Sequence, residues 1–178
     1  FRGSENDVLS RYYDAAKKYK VDTIVRLTAD CPLINPAVID RTIELFQKND
    51  LDYAGNTVPP ESSQFPDGSD VEVFSMQALE RANQEATSKE DREHVTFYFW
   101  KSEEKDTLKI AQLGNHENWS KYRFTVDYPE DYQVVKQIDK ELKRRNKFGT
   151  LEEIIQILKE NPEIAELNAK YYFGIGWE

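Results

Sequence analysis

Along this chain the apolar residues recur at helical spacing, at strand spacing and in unbroken runs, and each pattern marks a different kind of element. Val8, Leu9, Tyr12, Ala16 and Tyr19 keep a helical period to about Lys20. Ser4, with Asp7 three residues on, supplies a helix-start signal. The run Asp22-Thr-Ile-Val-Arg-Leu-Thr-Ala-Asp30-Cys-Pro-Leu-Ile34 follows, β-rich through Ile24, Val25 and Leu27. Pro32 lacks an N–H and biases Cys31 away from helix, so a strand is expected to stop there with Asp30 at its end. Asn35 before Pro36 reads as an N-cap and first helical residue. Val38, Ile39, Ile43, Leu45 and Phe46 give that helix a buried face up to Asn49-Asp50. Helix, strand, helix in this order is α/β grammar.

The pattern continues with a short strand over Asp52–Thr57 and a surface loop from Val58 to Ser69 that holds Pro59, Pro60 and Pro66. Asp70-Val-Glu-Val-Phe74 alternates strictly, with Asp70, Glu72 and Phe74 on one side and Val71 and Val73 on the other. Two carboxylates on one strand face suit a substrate site or, more commonly, a solvated face. Ser75 is placed to cap a helix through about Glu85, with Met76, Leu79 and Ala82 inward. In His94-Val-Thr-Phe-Tyr-Phe-Trp100, His94 and Tyr98 stand four apart and would share a face if the segment were helical; a buried aromatic cluster is the plainer reading. Leu108–Leu113 reads as a strand. Tyr122-Arg-Phe-Thr-Val-Asp127 repeats the earlier grammar of a β-rich run ending in Asp, with Pro129 close behind. Pro129, Glu130 and Asp131 then open a helix through Tyr132, Val135, Ile138 and Leu142. Shorter helical segments follow over Leu151–Leu158 and Pro162–Ala169, and the aromatic tail Tyr171–Trp177 is expected to fold back or meet a partner.

Composition narrows the function classes. The 178 residues are 39% hydrophobic and 32% charged, which fits one sizeable globular domain. The net charge of −9 argues against a general nucleic-acid or anionic-membrane surface. A nucleotide remains compatible, because a few local cations and a divalent metal suffice to hold it. One cysteine precludes an intrachain disulfide, and two histidines make a structural zinc site a poor fit. No apolar run approaches a membrane span and no signal peptide is visible, so a cytoplasmic protein is expected. Asp30 and Asp127, each closing a β-rich run, are candidate Mg²⁺ carboxylates if their strands are neighbours. Asp30 is equally well read as a turn residue.

Three phrases taken together carry a resemblance. They are Gly3–Tyr13 with Arg26-Leu-Thr-Ala-Asp-Cys-Pro-Leu-Ile34; Phe65-Pro-Asp-Gly-Ser-Asp-Val-Glu-Val-Phe74; and Arg123-Phe-Thr-Val-Asp-Tyr-Pro-Glu-Asp131. The ending Asn161-Pro-Glu-Ile-Ala-Glu-Leu-Asn168 adds a fourth. The sequence thereby resembles the cytidylyltransferases of spore-coat and surface polysaccharide synthesis, relatives of the CMP-sugar synthetases that activate acylneuraminate-type and related sugar acids. The resemblance implies a three-layer, Rossmann-like α/β sheet of the nucleotide-diphosphosugar transferase kind, over a single domain of residues 1–178. Residues 70–122 would then form the substrate and dimerisation segment, and 150–178 a C-terminal helical tail. It implies a homodimer that transfers CMP from CTP to a sugar hydroxyl, with Mg²⁺ at Asp30 and Asp127 in the catalytic places. By the same likeness Asp70, Glu72, His94 and Tyr98 lie on the sugar side, and Arg26 and Arg123 meet anionic groups unless they pair with nearby carboxylates.

The sequence departs from the family at its front. A strand and glycine-containing loop of the form Gln-Ala-Arg-x-Gly-Ser-x-Arg-Leu-Pro-Gly-Lys, which cradles the triphosphate in that family, has no counterpart here. An N-terminally truncated fold with an exposed sheet edge is therefore expected, and poor or no turnover of CTP by this chain alone. Two other classes fit part of the pattern: a non-catalytic binding or dimerisation module, and a metal-dependent glycosyltransferase on a related fold.

Overall fold

The computed structural model describes residues 1–101 and 107–175. Gly176 and Trp177 of the aromatic tail lie outside the described residues. In chain order the elements are α1 (Val8–Tyr19), β1 (Thr23–Arg26), α2 (Pro36–Lys48), β2 (Tyr53–Gly55), β3 (Glu72–Ser75), α3 (Met76–Glu85), α4 (Lys89–His94), α5 (Phe97–Trp100), β4 (Ile110–Gln112), α6 (Pro129–Arg144), α7 (Leu151–Glu160) and α8 (Pro162–Glu166). The fold is α/β. Two compact units divide the chain: the first takes Phe1–Arg26, Thr42–Gly55 and Glu72–Leu113, the second Leu27–Arg41, Asn56–Val71 and the chain from Gly114 onward.

The first unit holds the sheet, in the order β1-β3-β2-β4. β3 runs antiparallel to β1 and β2, while β2 and β4 are parallel. Its helices start where side-chain caps dictate. Asp7 accepts from the Ser10 N–H at the head of α1, Ser75 from Ala78 at α3, and Ser88 from Asp91 at α4. Phe99 lies between Tyr53 and Phe74, with ring centroids 5.3 Å from each, and Leu9, Val73 and Leu79 are fully enclosed with them.

Two expectations change in this unit. The expected strand face of Asp70, Glu72 and Phe74 is not solvated: Val71, Glu72, Val73 and Phe74 are all buried, and Asp70 precedes β3. His94 and Tyr98 do not share a helix, because the chain breaks between them. Val95 adopts φ 63° and ψ −56°, and the Thr96 N–H donates to the His94 carbonyl at 2.6 Å, a tight γ-turn. A β-branched residue at positive φ is strained, and only the full burial of the Val95 side chain makes that conformation tolerable.

In the second unit the chain after β1 forms turns instead of more strand. The Cys31 N–H donates to the Thr28 carbonyl and the Ile34 N–H to that of Cys31, so Asp30 sits in a turn four residues past the last residue of β1. Asn35 caps α2 as expected, its Oδ1 accepting from the Ala37 N–H at 2.9 Å. The Tyr122–Asp127 run is extended but is not a strand of the sheet. Its backbone pairs with two loops in succession: Asp67 N–H with the Tyr122 carbonyl, Phe124 N–H with the Asp67 carbonyl, then Val126 N–H with the Asp30 carbonyl. The ladder stops because the Asp67 loop turns away at Gly68. There φ is +104°, and a Cβ would lie 2.3 Å from the Thr125 nitrogen, so only glycine fits.

α6, α7 and α8 pack on one another in this unit. The inward stripe of α6 is Asp131, Val134, Ile138 and Leu142, whereas Tyr132 is 54% exposed and Val135 only half-buried. The stripe is set by Asp131, which turns inward at the third helical position to receive backbone donors, and the residues at helical spacing after it follow. α7 carries a complete capping box between Thr150 and Glu153.

Candidate active site

The eight residues singled out by sequence divide between the units. Arg26, Glu72, His94 and Tyr98 belong to the first; Asp30, Asp70, Arg123 and Asp127 to the second.

In the first unit, cross-strand pairing puts Arg26 opposite Glu72. The guanidinium contacts the carboxylate at 2.5 Å, and the Tyr53 hydroxyl donates to the other oxygen at 2.6 Å. Burial opposes the charge on Arg26, but Glu72 beside it more than compensates and keeps it firmly protonated. The group balances one cation against one anion and one hydroxyl, with the buried Arg26 Nε left without a partner. His94 stacks on Phe97 at 4.3 Å. Burial, despite the negative charge of Glu93, together with the positive charges of Arg26 and Lys101, lowers its pKa and favours the neutral imidazole. The Tyr98 hydroxyl donates to Glu85, so the spacing of four that suggested one shared face does not produce it.

The second unit gathers carboxylates. The Asp30 carbonyl accepts from the Val126 N–H at 2.8 Å and from the Thr125 hydroxyl at 3.2 Å, so the segment bearing Asp127 runs alongside the turn bearing Asp30. Both aspartates are exposed. Asp70 is held in place by the Thr57 hydroxyl at 2.7 Å and the Gly68 N–H at 2.8 Å. The buried Cys31 thiol faces one oxygen of Asp30 and one of Asp70, each at 3.6 Å. Burial and then the negative charge of Asp70 push this thiol well above its ordinary range, which keeps it an S–H donor to the two carboxylates.

Arg123 lies under this cluster, 8% exposed. Its guanidinium contacts Asp67, Asp127 (2.6 Å) and Asp131 (3.0 Å). Burial weakens its charge, but the hydrogen bonds it donates to Asp131 and the charge of Asp67 outweigh that, and the group stays cationic. Asp131, fully buried, also accepts from the N–H groups of Asp127 and Tyr128 and from the Asn168 amide; these bonds outweigh burial and hold its carboxyl below the usual range. Asp67 fares the other way. Burial first and the charge of Asp70 next push it up to about 8, only partly offset by Arg123. One cation shared among three carboxylates leaves negative charge over.

Sequence reasoning missed Asp67, Asp131, Thr57 and Asn168. Asp67 precedes a glycine and reads as a turn residue, and Asp131 reads as one of two acids favourable to a helix dipole. Nothing in the local pattern signals that both turn inward to one arginine.

The sequence pattern of one family, described as cytidylyltransferase, matches residues 1–173. The chain belongs to the cytidylyltransferase family. It is 36% identical to the uncharacterized protein MJ1063 of Methanocaldococcus jannaschii over 95% of this chain and 66% of that protein. It is 29% identical to the spore coat polysaccharide biosynthesis protein SpsF of Bacillus subtilis (strain 168), over 93% of this chain and 66% of SpsF. Among solved structures, a cytidylyltransferase from Leptospira borgpetersenii serovar Hardjo-bovis (strain JB197) matches with a TM-score of 0.82 and 34% identity, over 93% of this chain and 67% of that one. The chain thus spans just under two thirds of the length of the curated relatives it matches.

The donor chemistry of Asp30 and Asp127 fits the Mg²⁺ that the cytidylyltransferase likeness implies. Among the described residues no cluster of three or more His, Cys, Asp or Glu side chains is arranged as a metal cage. Mg²⁺ bound with a nucleotide needs no cage, since one or two carboxylates with phosphates and waters complete its shell. Two exposed carboxylates on adjacent backbone segments, beside an excess of negative charge, meet that requirement.

Proposed function

We propose that the protein is a nucleotidyltransferase that transfers CMP from CTP to a sugar or sugar-acid hydroxyl for surface polysaccharide synthesis, acting as a cytoplasmic homodimer. The substrate oxygen attacks the α-phosphorus of CTP, the bond from that phosphorus to the bridging oxygen breaks, and pyrophosphate leaves. The hydroxyl proton passes to solvent. The observation that carries this reading is the pairing of the Asp30 turn with the Asp127 segment through the Val126 N–H, within a chain of the cytidylyltransferase family.

Asp30 and Asp127 hold Mg²⁺, which when bound neutralises the triphosphate charge that would otherwise repel these carboxylates. Asp70, fixed by Thr57 and Gly68, is a hydrogen-bond acceptor for a sugar hydroxyl. The spore coat polysaccharide biosynthesis role of the Bacillus subtilis relative SpsF supports the polysaccharide setting.

Calorimetric titration of CTP tests the proposal, with and without Mg²⁺, on the full-length protein and on Asp30→Ala. Mg²⁺-dependent binding that the substitution abolishes is the expected result. Equal binding by a folded Asp30→Ala protein contradicts the proposed site, and folded protein that binds no CTP at all favours a non-catalytic module.

A further inference from the structure

The phrase that ends at Asn168 is left without a role by the reaction above, yet its side chains converge on the segment that carries Asp127. Asn168 is 2% exposed and spends its amide on two acceptors: Asp131 Oδ1 at 2.8 Å and the Arg123 carbonyl at 3.1 Å. Two residues on, the Lys170 ammonium meets Glu130 at 2.6 Å. Tyr171 then lays its ring against that of Tyr128, 4.1 Å between centroids and 8° between planes, and its hydroxyl donates to Glu130 at 3.0 Å. The same ring lies 5.8 Å from the Arg123 guanidinium. Residues 168–171 therefore grip both ends of the 123–131 segment, and Asp127 is in its middle.

We infer that Asn168 and Tyr171 are positioning residues: the segment after α8 is a strap that sets the direction of the Asp127 carboxylate through Asp131 and Arg123. The inference rests on the reading of Asp30 and Asp127 as the cation-binding carboxylates. Asp127 itself is exposed, and a carboxylate at the surface has many orientations open to it. Arg123 removes most of them by holding Oδ2. Arg123 is in turn held by Asp131, whose second oxygen also receives the Asp127 and Tyr128 amides. Asn168 reaches the other Asp131 oxygen, Oδ1, which Arg123 Nε also contacts. Without the Asn168 amide, Asp131 Oδ1 loses one of its two donors and keeps Arg123 Nε. Without the Tyr171 ring, Tyr128 and the turn into α6 lose their cover. Neither residue touches the cation; each acts on its ligand.

The test uses Mn²⁺ as the probe cation, followed by electron paramagnetic resonance, on the full-length protein without nucleotide. Outer partners of metal ligands typically govern affinity by about 10–100-fold. Asn168→Leu and Tyr171→Leu are expected to weaken Mn²⁺ binding about tenfold, while Tyr171→Phe, which keeps the stacked ring, restores most of it. Ile154→Val is the control for stability alone, since it trims the fully buried face of α7; it lowers the melting temperature and leaves Mn²⁺ affinity unchanged. Hydrogen exchange supplies a second readout that needs no metal: the Asp127 and Tyr128 amides exchange faster in Asn168→Leu and not in Ile154→Val. If Asp127→Asn abolishes Mn²⁺ binding while both leucine variants bind Mn²⁺ and exchange like the unsubstituted protein, the strap is overturned and the site reading stands. If Asp127→Asn binds Mn²⁺ undiminished, the site reading fails and the strap inference with it.

Discussion

Two arginines, the half-buried Arg26 and the buried Arg123, sit in similar-looking sequence, each within a β-rich run that leads to an aspartate. Their surroundings differ in a way that separates a fold-holding pair from a site. Arg26 has one carboxylate, Glu72, whose second oxygen is taken by Tyr53; charge is balanced, and Glu72 and Tyr53 are buried. Arg123 has three carboxylates, with Asp70 close by and Asp127 open to solvent. Balanced charge has little left to offer a ligand, and such a pair can be exchanged for apolar side chains with little loss. An excess of negative charge with one carboxylate at the surface is what the proposed cation would offset.

The largest expected effect comes from removing the hub. Arg123→Met strands the fully buried Asp131 and the mostly buried Asp67, and urea unfolding should show a loss of about 3–5 kcal/mol. The matching change in the other group sharpens the contrast. Arg26→Met alone should also cost about 3 kcal/mol, yet the triple replacement Arg26→Met, Glu72→Leu, Tyr53→Phe, which leaves no polar atom unpaired, should return to within about 1 kcal/mol of the unsubstituted protein. A triple variant as unstable as the single one would mean that the Arg26 group does more than fill and balance its place.

A smaller effect lies in the pH dependence of stability. Burial and the charge of Asp70 push the Asp67 carboxyl up to about 8 in the folded chain, against an ordinary value of 3.8. Between those limits the folded state keeps a proton that the unfolded state has lost. The contribution of Asp67 is therefore fully present below about pH 4, declines as pH rises, and is gone above about pH 8. Asp131 works in the opposite sense, its contribution being lost as pH falls below the ordinary carboxylate range. Denaturant titrations between about pH 5 and pH 8 should show the stability of the unsubstituted protein falling relative to that of Asp67→Asn as pH rises. No difference between the two would remove the excess-charge account of this cluster. Smallest of all, Ser75→Ala and Thr150→Ala, one cap in each unit, should each cost about 1 kcal/mol and leave the contrast untouched.

What the sequence made legible was mostly local. Asn35-Pro36, Ser75 and Pro129 mark helix starts because a cap or a fixed φ acts within a few residues, and those starts are where they were expected. The β-rich runs were misread in extent for a long-range reason. Thr23–Arg26 finds a partner strand, but the residues after it and all of Tyr122–Asp127 bond to loops whose turns, at Thr28–Cys31 and Gly68, decide where pairing ends. His94 and Tyr98 were parted by a γ-turn on a valine, a conformation that no propensity favours and only burial sustains. The two aspartates of the candidate site could be named from the likeness. Their surroundings could not, because Asp67, Asp131 and Asn168 reach Arg123 from three separate stretches of chain.

The most direct measurement sets the two groups side by side: calorimetric titration of CTP with Mg²⁺ into the full-length protein carrying Asp127→Asn or, separately, Glu72→Gln. The account predicts that Asp127→Asn loses binding at least tenfold, the scale typical of a lost charged contact, while Glu72→Gln binds CTP as before. Binding that survives Asp127→Asn and fails in Glu72→Gln would place the nucleotide with the wrong arginine and contradict the account.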